Sequence, residues 1–150
     1  MRVFRFCCAL VLAGSAVGMS GGAAAKNPGA EPILQRYEDV IYVPADPAQP
    51  ELVQIDVLRG DPQTGPSSML MKMKKYQGVL HTHSSDYELV LISGRMRHWQ
   101  KGQVEADTPL LGPGSYWYQP KNQPHGDSCL SEACVMFITW AGRRDAFPDK

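Results

Sequence analysis

From about residue 39 the chain is cut at short intervals by glycine and proline. The segments between the cuts are too short for stable helices and are rich in β-branched and aromatic residues. Such runs spaced by turn residues define an all-β sandwich or barrel, because only cross-strand pairing can satisfy so many short extended pieces. The runs read as strands are 40–43, 52–59, 69–76, 79–83, 87–92, 96–100, 108–111, 115–119 and 134–140. Gly60-Asp61-Pro62 with Gly65-Pro66, Ser93-Gly94, Gly112-Pro113-Gly114 and Pro120-Lys121-Asn122 mark reversals between them, by the conformational preferences of those residues. No long helical period intervenes. In Met69-Leu70-Met71-Lys72-Met73-Lys74 the alternation places three methionines on one strand face, read as lining a core or pocket rather than as soft metal ligands.

The residues ahead of these runs have a different character. Arg2 and Arg5 precede an apolar run over 7–18, and Ala23-Ala24-Ala25 supplies the small residues of a cleavage site, the layout of a secretory leader. The apolar run is shorter than the roughly 20 residues a spanning helix needs, so export with cleavage near Ala25 is expected rather than a stable membrane anchor. Residues 26–38 read as a flexible lead-in, 39–145 as a single barrel domain and 146–150 as a C-terminal tail. The 15 basic and 15 acidic side chains balance, and loss of Arg2 and Arg5 leaves about −2. With no basic patch interleaved with aromatic residues, nucleic acid is not an expected partner. Of the four cysteines, Cys7 and Cys8 fall in the leader. Cys129 and Cys134 are left in an oxidising compartment, where a disulfide is one reading and a buried thiol or a thiolate at Cys129 the others.

The chemistry concentrates in the histidines. Three of the four lie in two compact clusters, His81-Thr82-His83 and Pro124-His125, while His98 stands apart beside Trp99 and reads as a surface or edge residue. Residues two apart in a strand share a side, so His81 and His83 can aim both imidazoles at one interior point. A turn at Ser84-Ser85-Asp86 would return the chain so that Glu88 joins them, and the Pro120 turn could deliver His125 to the same place. Three imidazoles and one carboxylate form a mixed nitrogen and oxygen set that suits one divalent transition metal: iron, manganese, nickel, copper or zinc. Asp127 and Cys129 share the parity of His125 along a regular strand. With Tyr118 they are candidates for proton transfer near such an ion.

These residues resemble the two motifs of the cupin superfamily. The first reads here Gly78-Val-Leu-His81-Thr-His83-Ser-Ser-Asp-Tyr-Glu88-Leu-Val-Leu-Ile-Ser-Gly94, and the second Gly114-Ser-Tyr-Trp-Tyr-Gln-Pro120-Lys-Asn122-Gln-Pro-His125. Gly78 stands closer to His81 than the pattern asks, Gly94 comes one residue early, and Asn122 replaces a glycine, although asparagine tolerates left-handed backbone. More narrowly, Gly60-Asp-Pro-Gln-Thr-Gly-Pro66, His-Thr-His-Ser-Ser-Asp-Tyr and Pro-Gly-Ser-Tyr-Trp-Tyr-Gln-Pro are similar to an uncharacterised branch of exported single-domain cupins. The resemblance implies a cupin-type double-stranded β-helix, or jelly-roll barrel, with the metal held by His81, His83, Glu88 and His125.

It implies no settled reaction. A metal-dependent enzyme acting on a small molecule (oxygenase, isomerase or hydrolase) is the first reading. A non-catalytic module that captures a small ligand or senses a metal is the alternative, and fold alone does not choose between them. A homodimer formed through sheet packing and residence in the periplasm of a Gram-negative bacterium complete the expectations.

Overall fold

The structure, a computed structural model, describes Lys26 and residues 31–149. The leader read at 1–25 lies outside the described residues, as do residues 27–30 of the lead-in and Lys150. Among the described residues the short runs form nine strands: β1 (Val43–Pro44), β2 (Val53–Gly60), β3 (Ser67–Tyr76), β4 (His81–Thr82), β5 (Tyr87–Ser93), β6 (Met96–Gln100), β7 (Tyr116–Gln119), β8 (His125–Trp140) and β9 (Phe147–Pro148). All pairings between them are antiparallel. The only helical pieces described are single 3-10 turns at Tyr37–Asp39 and Glu105–Asp107.

The long strand β8 is the spine of the sheet. Its C-terminal half pairs with β3 on one side and β5 on the other, so that Met136 lies between Met71 and Leu91. Its N-terminal end pairs instead with β6 and, at His125, with β4. A strand that changes partners along its length forces the sheet to curl, and the result is a curled antiparallel half-barrel of the cupin type. Alternation decides what faces inward: in β5, Tyr87, Leu89 and Leu91 are buried while Glu88, Val90 and Ile92 are exposed. The methionines of β3 lie inward as the alternation predicts, with Met69, Met71 and Met73 in one cluster with Met136, Ile138 and Trp140. Burial of each such large side chain contributes roughly 1.5–3 kcal/mol.

The structure departs from the sequence reading at the strand ends. Residues 108–111 form no strand and contribute one bridge, Leu111 to Met96. Residues 125–133, outside the nine runs named from the sequence, are the first half of β8. Gly126, Asp127 and Ser128 have weak β preference, and pairing with β6 overrides it. The C-terminal tail is not free: Phe147 pairs with Thr82 and Pro148 with His81. The lead-in is tied at Lys26, whose amide donates to the Gly60 carbonyl at 2.9 Å and whose Nζ meets Asp56 at 2.9 Å. Asn122 adopts φ 60°, the left-handed conformation that lets it stand where a glycine is usual.

Cys129 and Cys134 are joined by a disulfide with a Cα separation of 5.9 Å. It clips the stretch where β8 slips register against β3, between the pairs Lys74–Ala133 and Tyr76–Cys129. A loop this short implies about 2 kcal/mol of stabilisation through restriction of the unfolded chain. A Cys129→Ser, Cys134→Ser double variant is therefore expected to lose about that amount in urea unfolding. Unchanged stability would show that the link contributes nothing.

Candidate metal centre

His81 in β4 is the cross-strand partner of His125, the first residue of β8, and His83 follows two residues on. The ring centroids lie 4.5 Å apart for His81 and His125, 5.0 Å for His83 and His125, and 4.8 Å for His81 and His83. Each ring is oriented by a main-chain carbonyl at Nδ1: Val79 at 3.0 Å from His81, Gln123 at 2.9 Å from His125, and Asp145 close against His83. A carbonyl only accepts, so in the neutral imidazole each Nδ1 carries the proton and each Nε2 keeps its lone pair. Burial, followed by the charges of its two neighbouring histidines, outweighs the Asp145 carbonyl and depresses the His83 pKa to about 4. Burial likewise lowers that of His125. Both rings are therefore uncharged donors at neutral pH.

The carboxylate beside them is not the expected one. Glu88 lies on the outer face of β5, where it accepts a hydrogen bond from Tyr116 at 2.9 Å. The turn before β5 sets the parity so that Tyr87 takes the inward position, and strand alternation sends Glu88 to the opposite face. Asp127 supplies the carboxylate instead: its Oδ2 is 3.7 Å from His125 Nε2 and 3.9 Å from His81 Nε2. Tyr87 places its hydroxyl 3.2 Å from His125 Nε2, and burial raises its pKa well above the usual value. It stays protonated and donates.

Two other candidates fall away from the site. Tyr118 is 52% exposed on the outer face of β7, where Trp117 and Gln119 hold the inward positions. The sulfur of Cys129 is committed to its disulfide and does not act as a thiol or thiolate.

His98, read as a surface or edge residue, is built into the centre. Its Nδ1 donates to Asp127 Oδ1 at 2.7 Å, and its ring stacks on Trp117 with centroids 5.2 Å apart. The proton's position follows from a chain of amides. Gln119 donates to the carbonyls of Pro120 and Gln123, which leaves its Oε1 as an acceptor. Gln100 must then present its NH2 group, which reaches Gln119 Oε1 and His98 Nε2, each at 2.9 Å. With Nε2 accepting, Nδ1 of His98 carries the proton toward Asp127. Burial acts to raise the Asp127 pKa, but the His98 hydrogen bond and the surrounding histidines outweigh it and hold the carboxyl below its usual range. Tyr87 and His98 were legible only as the inward phase of β5 and as one more histidine; no spacing rule links them to the cluster.

The donor set fits a divalent ion. Ligands 2.0–2.1 Å from one ion lie about 3 Å apart at right angles and about 4.2 Å apart when opposite. The three histidine donor atoms lie within 4.8 Å of one another, so the rings need only draw together to grip one ion. Nitrogen donors with one carboxylate suit the later first-row metals. Beside the cluster opens a cavity of about 550 Å³, walled largely by apolar side chains including Met71, Met73, Leu89, Met136 and Ile138. Among the described residues no helix is long and apolar enough to cross a membrane.

Comparison with known proteins agrees with this fold. Residues 31–145 match the family described as a domain of unknown function, DUF4437. A comparison with curated proteins finds no sequence match. Among solved structures, the chain is similar to an acetylacetone dioxygenase from Acinetobacter johnsonii, with a TM-score of 0.57, 19% identity, and 79% of each chain covered. An RmlC-like cupin protein from Ralstonia eutropha matches with a TM-score of 0.57 and 15% identity, over 83% of this chain and 80% of that one. A chain from a structure of DMSP lyases matches with a TM-score of 0.54 and 17% identity, over 65% of this chain. This chain spans about half the length of that lyase chain, 53%.

Proposed function

The chain belongs to the DUF4437 family and has a cupin-type fold, and from that premise we propose that it is an exported, metal-dependent enzyme acting on a small molecule. The observation that carries this reading is the convergence of His81, His83 and His125, each with Nδ1 turned to a carbonyl, beside the Asp127 carboxylate at a cavity wall. A divalent ion held there would supply Lewis acidity, and redox chemistry as well if it were iron, manganese or copper. The chain's own groups divide the remaining work. His81, His83 and His125 bind the ion, and Asp127, fixed by His98, holds negative charge toward it. Tyr87 keeps a proton at Oη within the cavity, and the apolar walls exclude water. A carboxylate held by a half-buried imidazole that two glutamines in turn orient is more than a passive ligand pocket requires, and this favours catalysis over simple capture. Export is supported by the leader-like residues 1–25 and by the Cys129–Cys134 pair, which suits an oxidising compartment.

The test is metal content. Protein purified without added metal or chelator is expected to carry close to one transition-metal ion per chain by elemental analysis, and to take up one Co2+ after stripping. The His125→Ala variant is expected to do neither. A wild-type chain that is metal-free and refuses Co2+ overturns the reading.

A further inference from the structure

Arg144 is the only lysine or arginine that lines the cavity among the described residues. Its Nε is buried with no hydrogen-bond partner among them, and Asp46 and Asp145 act on it only through their charge at a distance. Those carboxylates are engaged elsewhere. Asp46 accepts from the Ala48 amide at 2.9 Å, Asp145 from the Ser84 amide at 2.9 Å and the Ser84 hydroxyl, and Asp127 from His98. A second cavity residue, Trp140, also has a buried and unpartnered donor, its Nε1. Burying a donor without an acceptor is costly, and distant carboxylates supply charge but no acceptor to this Nε. Two such donors in the wall of one cavity are explained by a ligand that supplies oxygen acceptors.

We propose that the cavity takes a small organic acid whose carboxylate is held by the Arg144 guanidinium and whose apolar body lies along Met71, Met73 and Met136. The planar fork of a guanidinium matches a carboxylate in two parallel hydrogen bonds. A monoanion suits this wall better than a dianion, since the one guanidinium stands among the carboxylates of Asp46, Asp127 and Asp145 and a second negative charge would meet only repulsion. The Arg144 segment also touches the histidine cluster, because the next residue, Asp145, orients His83 through its carbonyl. The acid therefore shares the cavity with the imidazoles, and only its place beside a bound ion rests on the metal reading above.

The test uses the fluorescence of Trp117 and Trp140 in the cavity wall, with straight-chain acids from butanoate to octanoate, each beside its primary amide, at pH 8. Titrations are run on metal-stripped and on Zn2+-loaded protein. Failure of the metal reading shows in the ion-uptake experiment and leaves the stripped-protein titration interpretable. At least one acid is expected to bind about tenfold or more tightly than its amide, the size of a charge-assisted hydrogen bond. Arg144→Gln is expected to erase that preference, and Arg144→Lys, which keeps the charge without the fork, to retain part of it. Arg143→Gln, which removes the same charge from the exposed neighbouring side chain, is expected to leave the preference intact. The proposal is overturned if no acid binds, if acid and amide bind alike, if the preference survives Arg144→Gln, or, should that variant not fold, if Arg144→Lys leaves it unchanged.

Discussion

Alanine at Glu88 is expected to leave Co2+ affinity within about twofold of wild type, whereas alanine at Asp127 lowers it about 10–100-fold. The two carboxylates exchange the roles that motif spacing assigns them. Glu88 pairs with Tyr118 and Thr139 on the outward side of β5, and its carboxylate is occupied by the Tyr116 hydroxyl. Asp127 stands in the first turns of contact between β8 and β6, opposite His98, with one oxygen bonded to that ring and the other turned to His81 and His125. Removing Asp127 takes away both a negative charge beside the ion and the acceptor that orients His98. Removing Glu88 costs an exposed hydrogen bond alone. Competition titration with a chromogenic chelator measures both affinities. The reverse ranking, with Glu88→Ala losing the metal and Asp127→Ala keeping it, would mean that β5 is turned by one residue in the loaded protein.

The second large effect is steric. A Cβ built on Gly78 lies 2.1 Å from the Asp127 carbonyl oxygen, 2.7 Å from its carbon and 2.9 Å from its nitrogen. All three are backbone atoms that no rotamer change can move, and the Gly78 amide is itself bonded to Ser128 Oγ at 2.9 Å. Gly78→Ala is therefore expected to lose about 2–3 kcal/mol in urea unfolding, at the upper end for overpacking. Co2+ affinity falls with it, because the backbone that must move carries Asp127. Gly65→Ala is the matched control: nothing lies within 4 Å of its added Cβ, so a change within about 0.5 kcal/mol is expected. Equal effects at the two positions would show that the Gly78 contact is slack.

Much of this architecture was legible residue by residue. Short runs with period-two alternation between glycine and proline turns forecast the strands, because pairing is the only way to satisfy such segments. His81, His83 and His125 were legible as a cluster because two share a strand phase and the third follows a turn. The same alternation also held the information that Glu88 points outward, since Tyr87, Leu89 and Leu91 form one face and Glu88 the other. Motif spacing points Glu88 toward the histidines, and the phase of the strand turns it away.

Local sequence thus determined the strand-and-turn pattern, the three imidazoles and the left-handed turn at Asn122, since each depends on conformational preferences that act within a few residues. Only the tertiary structure decided that Asp127 rather than Glu88 accompanies them, that His98, set by two glutamines, holds it, and that Arg144 lines the same cavity with an Nε that has no partner among the described residues. His98 and Asp127 are 29 residues apart, and Gln100 and Gln119 are 19 apart. Which of them meet is set by how β8 changes partners along its length. That register is chosen by burial of the whole sheet, so no local pattern encodes it.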